Sequence, residues 1–266
     1  LECMFAALTA PRPLCLVLGC EQYHVPLRIL LDSVQQEVSA PLALQCALGM
    51  PTMQPKKDPS TRGSVTGPLA GLFRADWFAK HTRRVPAVCI VLLRVDLSAS
   101  VPDWYQQEAA IESEVAMVHS NLGGHPTRII YACIQSPLTD SAAERAAEAA
   151  TQDRMHSLQR RLEASSKSLF LLQASDVDGT AGGSTPRLRD VAYAASAAGV
   201  EYCVAAAKAR RRSAKMAARA QSGRNAAMIT LRSDIKAAFF FEMARRMDKA
   251  QKHYHQAVRQ VGGLPR

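Results

Sequence analysis

Five short, continuously apolar segments alternate with helix-length segments in the first two thirds of this 266-residue chain. Each is too short and too continuous to be an amphipathic helix. We therefore predict strands at residues 14–18, 42–47, 87–93, 128–134 and 168–172. Apolar strands separated by helices are typical of a sheet that helices cover on both faces. The predicted fold class is α/β, with a mostly parallel sheet of about five strands and flanking helices.

The segments between the predicted strands have helical periodicity. The segment between the third and fourth predicted strands places Ile111, Val115 and Val118 on one face. The predicted helices in this part of the chain cover residues 25–38, 101–122 and about 140–162. Two loops rich in Pro, Gly and small polar residues are predicted at residues 51–68 and 175–186.

No further strand pattern follows Pro186. We predict a helix to about Arg212, then a basic polar stretch to Asn225, then a helix from Ala226 onward. The chain is therefore predicted to have an α/β domain at residues 10–185 and a helical region at residues 186–266.

Small and aromatic residues near the end of the chain follow the spacing of a tetratricopeptide-type helical hairpin. These residues are Ala238, Phe241, Ala250, Tyr254 and Ala257. A single hairpin cannot bury its apolar face alone. We therefore expect it to open an α-solenoid that continues beyond residue 266. The alternative is an ordinary terminal pair of helices packed on the sheet.

The formal net charge of +10 is concentrated at one end of the chain. Residues 201–266 hold 15 Lys and Arg against 4 Asp and Glu, which leaves residues 1–200 close to neutral. The possible interaction residues in this basic run are Lys208, Arg210, Arg211, Arg212, Lys215 and Arg219. Helical spacing aligns most of them on one face. The run is either a solvated face or connector, or a surface that binds an acidic protein or an anionic membrane. No aromatic side chains are interleaved with them, so we expect no nucleic-acid partner.

The sequence offers no strong catalytic motif, and we expect no enzyme activity, cofactor or metal. Its seven cysteines are scattered, which favours the reduced thiols of a cytosolic protein. The longest apolar run is about nine residues, too short to cross a bilayer. One alternative remains: Asp176 and Asp178 lie in a DxDGT sequence after an apolar strand, which resembles the nucleophile motif of haloacid-dehalogenase-type or other α/β hydrolases.

Several collinear segments resemble the N-terminal region of the trafficking protein particle complex subunit 11 family, also called Foie gras. The matching segments are residues 76–81 (DWFAKH), 85–88, 95–96, Trp104, 128–135, 143–147, 165–172, 231–232, 235–242 (IKAAFFFE) and 252–254. Together they cover roughly residues 70–260. A second possibility is similarity to subunit 10 or another large chain associated with the same complex.

This resemblance implies a non-catalytic scaffold subunit of a vesicle-tethering complex. Such complexes support Rab GTPase nucleotide exchange in traffic from the endoplasmic reticulum to the Golgi. The expected partners are the other subunits of the complex, with a Rab GTPase reached indirectly through them. The expected location is the cytoplasm, peripheral to Golgi and ER–Golgi intermediate membranes.

Overall fold

In the part of the chain that the structure describes, five parallel strands form a sheet. They are β1 (Leu14–Leu18), β2 (Gln45–Leu48), β3 (Val88–Val95), β4 (Arg128–Gln135) and β5 (Leu169–Gln173). Their order in the sheet is β2-β1-β3-β4-β5. The computed structural model describes residues 11–37, 44–49, 73, 77–135, 141–178, 185–221 and 223–262. The parallel sheet with flanking helices confirms the predicted α/β class. The predicted loop at 51–68 lies outside the described residues.

Among the described residues, six longer helices accompany the sheet. They are α1 (His24–Glu37), α2 (Val101–Asn121), α3 (Ser141–Arg161), α4 (Pro186–Arg219), α5 (Gly223–Met243) and α6 (Met247–Gly262). Ser100 caps the start of α2 by accepting a hydrogen bond from the Asp103 N–H. Thr185 caps α4 in the same way through the Leu188 N–H, and Pro186 follows at a position that tolerates proline. A stretch with the length and apolarity of a bilayer span is absent from the described helices.

Alternate side chains of each strand enter two separate apolar layers. On one face, Val17 and Ile90 pack with Leu27 of α1 and Leu188 of α4. On the other face, the layer contains strand residues together with side chains of α2 and α3, including Trp104, Ile111 and Leu158. Burial on both faces explains why the strands are continuously apolar.

The long helix α4 differs from the prediction, which ended a helix near Arg212 and placed a basic polar stretch up to Asn225. The helix instead continues to Arg219, and α5 begins at Gly223. Ala, Lys and Arg all have high helix propensity, so a stretch made mostly of them prolongs the helix rather than ending it. The basic run is therefore a helical surface and not a connector.

Helices α5 and α6 form an antiparallel hairpin. They join through a short turn in which Arg245 has φ 55°. Four of the five residues at hairpin spacing are buried, namely Ala238, Phe241, Ala250 and Ala257. The fifth, Tyr254, is half-buried and donates a hydrogen bond of 2.8 Å to Glu242.

The division of the chain at residue 186 stays a prediction. Leu188 and Val191 of α4 belong to the same apolar cluster as strand residues, and so do Ala237 and Phe240 of α5. The first part of the helical region therefore packs directly on one face of the sheet.

Candidate interaction surface

The sheet has a topological switch point between β1 and β3, where ligands of open parallel sheets commonly bind. The loop after β1 approaches β3 closely at this point. Gly19 has φ +74°, and a Cβ there would lie 2.2 Å from the Leu92 carbonyl oxygen. Glycine is therefore required here by the contact between loop and strand.

The ionisable side chains at this switch point are not arranged as an activated nucleophile or an anion cradle. Burial raises the pKa of the Cys20 thiol, and the charge of Glu114 raises it further, while Arg94 acts in the opposite direction. Burial also raises the pKa of Glu114. The ring of His24 hydrogen-bonds the Gly19 carbonyl. A thiol whose pKa is raised is less nucleophilic at neutral pH.

Asp176, the proposed nucleophile of the hydrolase alternative, is held by local backbone contacts. It follows β5, the edge strand, and lies in a short helix, Ala174–Val177. Its Oδ2 accepts a hydrogen bond of 2.8 Å from the Gln173 N–H, as part of a capping box. Arg187 lies 3.9 Å from the same oxygen. This carboxylate stabilises a helix start, which does not favour the hydrolase alternative.

Within the described ranges, no three His, Cys, Asp or Glu side chains come together in a group that could hold a metal ion. Asp178 is exposed and belongs to no such group.

A basic groove runs between α4 and α6, with α5 as its floor. It has a volume of about 990 Å³. Its lining residues are Lys208, Arg211, Arg212, Ala214, Lys215, Ala218 and Arg219 from α4, Thr230, Ser233 and Asp234 from α5, and Gln256, Arg259 and Gln260 from α6. The hydroxyl of Ser233 donates to the Arg210 carbonyl at 3.2 Å, which ties the floor to one wall.

Asp234 is the one acidic side chain in that lining, and both of its oxygens are engaged. Oδ1 lies 3.0 Å from His253 Nδ1, and Oδ2 accepts a hydrogen bond of 2.9 Å from Gln260. The His253 ring stacks on Phe241, with centroids 5.5 Å apart. The carboxylate therefore joins α5 to α6 and leaves the exposed charge of the basic groove positive.

The structure brings five of the six predicted interaction residues together in the basic groove. Arg210, the sixth, lies outside the lining, and its charge acts on His81 and Tyr202 instead. Sequence reasoning missed Arg259, which comes from α6. Helical spacing predicts which residues of α4 share a face, but it does not predict that a residue of another helix lies beside them.

An aromatic junction connects the sheet to α5. We use this name for Trp77, Phe78, His81, Phe239 and Phe240. The short helical segments Trp77–Ala79 and Lys80–Arg84 carry the first three, and α5 carries the other two. The ring centroids of Trp77 and Phe239 are 5.4 Å apart, those of His81 and Phe240 5.0 Å, and those of Phe78 and Phe239 5.0 Å. Residues of segments 76–81 and 235–242, which both resemble the subunit 11 family, therefore contact each other.

Comparison with known proteins agrees with this resemblance. The family model described as the trafficking protein particle complex subunit 11 N-terminal domain matches residues 58–179. Trafficking protein particle complex subunit 11 of Bos taurus and that of Homo sapiens are each 27% identical to this chain over 106 residues. The matched stretch is 40% of this chain and 9% of each relative. Residues 58–179, which include β3, α2, β4, α3 and β5, are therefore similar to the trafficking protein particle complex subunit 11 N-terminal domain.

Proposed function

We propose that the chain acts as a non-catalytic scaffold subunit of a trafficking protein particle complex. In this role it supports Rab GTPase nucleotide exchange during transport from the endoplasmic reticulum to the Golgi. The observation that carries the proposal is the family match over residues 58–179. Its partners are the other subunits of the complex, and the Rab GTPase is reached through them. The chain is cytoplasmic and peripheral to Golgi and ER–Golgi intermediate membranes.

Asp176, the nucleophile of the hydrolase alternative, instead accepts a hydrogen bond from the Gln173 N–H at the start of a short helix. The basic groove is open to solvent, and its charged lining is suited to binding. These features support a scaffold role.

We also propose that the chain is divided into an α/β domain at 10–185 and a helical region at 186–266 whose hairpin opens an α-solenoid. The support is the small-residue contact between α5 and α6, together with the exposed apolar side chains of α6. Met247 is 51% exposed, Val258 68% and Val261 57%. A following helical hairpin stacked on α6 would bury these side chains, as neighbouring repeats do in solenoids.

The test is recovery of the complex with the tagged full-length protein from cells. The expected result is enrichment of the other subunits over a control purification with an unrelated tagged α/β protein. A folded, expressed protein that recovers none of them would contradict the proposal.

A further inference from the structure

The basic groove combines a high density of positive charge with a lack of competing acids. Six cationic side chains line it, namely Lys208, Arg211, Arg212, Lys215, Arg219 and Arg259. Those on α4 are exposed, as is Arg259 on α6. The acid in its lining, Asp234, already has partners on both oxygens. A ligand that fits this surface must supply negative charge.

The surface of the groove is not uniformly polar. Ala214 and Ala218 lie among the cationic residues of α4, and the long stems of Lys and Arg add further apolar area. A matching ligand therefore carries apolar groups between its negative charges. Free phosphate has no apolar groups and would leave this part of the groove uncovered.

The shape of the groove separates the remaining classes of anionic ligand. Its basic residues line a concave space between two helical walls, whereas a bilayer presents a broad, nearly flat surface. No aromatic side chain is part of the lining, so the stacking platform typical of single-stranded nucleic-acid sites is missing from it. A polypeptide segment enters a groove between helices readily, by a mode well known for amphipathic helices.

We propose that the basic groove binds an acidic segment of a partner protein. The carboxylates of the segment contact the Lys and Arg side chains, and its apolar side chains lie against Ala214 and Ala218. This inference extends the proposed scaffold role. It rests on that role in one respect, namely that the partner is a protein. The binding chemistry itself rests on the described groove residues.

The test measures binding of a labelled peptide to the 266-residue protein by fluorescence anisotropy. The probe is a peptide of about four helical turns made of Glu and Leu in i, i+4 spacing. A copy with Gln in place of every Glu is the matched control peptide. We expect the Glu peptide to bind, the Gln peptide to bind much more weakly, and the Glu peptide to be released by added salt.

Two protein variants with the same change in net charge locate the binding surface. Arg211→Glu/Lys215→Glu reverses two charges that line the groove. Arg210→Glu/Arg83→Glu reverses two exposed charges outside it. We expect the first variant to weaken binding of the Glu peptide by at least about tenfold and the second by no more than about twofold. Far-UV circular dichroism is used to check that both variants are folded.

Equal loss of binding in the two variants, or no binding of the Glu peptide by the unchanged protein, would overturn the proposal. So would groove-dependent binding to phosphatidylserine vesicles without binding to the peptide, because that result assigns the groove to a membrane. Failure of peptide binding leaves the recovery of complex subunits unaffected. The two proposals are therefore distinguished by separate measurements.

Discussion

His81 is a buried histidine held between the rings of Trp77 and Phe240, at centroid distances of 4.8 and 5.0 Å. Burial, followed by neighbouring positive charges such as Arg210 and Lys236, lowers its pKa from 6.5 to about 4. Its Nδ1 finds no hydrogen-bond partner among the described residues. The folded protein therefore favours the neutral ring.

The lowered pKa of His81 predicts a loss of stability in mild acid. The unfolded chain takes up a proton on this residue below about pH 6.5, whereas the folded chain resists uptake until about pH 4. Above about pH 6.5, His81 is neutral in both states and does not reduce the free energy of unfolding. As the pH drops towards 4, the unfolded chain gains a proton on His81 and the free energy of unfolding falls. We expect about 2 kcal/mol to be lost from this residue between about pH 7.5 and pH 5.

Urea unfolding of the protein and of His81→Phe at the two pH values checks this prediction. The variant keeps an aromatic ring and cannot titrate, so its loss of stability on acidification is expected to be smaller by about the same amount. The comparison uses only the change in the free energy of unfolding between the two pH values. A change in packing caused by the substitution affects both pH values equally and therefore cancels. An identical pH dependence in both proteins would show that His81 is not protonated on unfolding.

Asp176 is expected to matter for stability and not for turnover. Asp176→Ala removes the acceptor of the Gln173 N–H and should lower the free energy of unfolding by about 1 kcal/mol, the usual cost of losing a helix cap. Hydrolysis of p-nitrophenyl phosphate with Mg²⁺ is expected to stay at background in both proteins. Robust turnover that disappears in Asp176→Asn would restore the hydrolase alternative.

At the level of the secondary-structure elements, the aromatic junction is expected to contribute strongly to the free energy of unfolding. Phe240 is fully buried there, whereas Phe78 is 38% exposed. We expect Phe240→Ala to lower the free energy of unfolding by about 3–5 kcal/mol, since it leaves a cavity between the sheet and α5. Phe78→Ala is the matched control and should cost about 1–2 kcal/mol, because part of its ring already contacts water.

Chemical denaturation of both variants, followed by far-UV circular dichroism, measures these costs. A small cost for Phe240→Ala, no greater than that for Phe78→Ala, would mean that α5 is not packed on the sheet through this junction.

The elements of this fold were predictable where one local pattern decides the structure. Strand β1 has the predicted bounds, because a run that is apolar on both faces has few other structures available in an α/β chain. The predicted end of α4 near Arg212 is wrong, because Lys, Arg and Ala all favour helix and a run of them prolongs it to Arg219.

The α4 side of the basic groove was predictable from the sequence, and the α6 side was not. Helical spacing within α4 aligned Lys208, Arg211, Lys215 and their neighbours on one face. Arg259 joins them only through the packing of α6 on α5, and the DxDGT sequence gave no sign that Asp176 caps a helix. Contacts of this kind depend on tertiary structure, which spacing along one segment does not encode.

At the scale of the whole molecule, charge and fold are divided along the chain. The near-neutral first 200 residues form the sheet and most of its covering helices, and the basic remainder continues α4 and adds α5 and α6. The residues matched by the family model lie in the first part. The basic groove lies in the second, so the matched residues and the groove belong to different parts of the chain.

The central proposal is that this protein is a subunit of a trafficking protein particle complex. Affinity purification of the tagged full-length protein from cells, followed by quantitative mass spectrometry of the bound proteins, tests it most directly. The account predicts that the other subunits are recovered together, well above their level with an unrelated tagged α/β protein. Recovery of the folded protein without any of these subunits would contradict it.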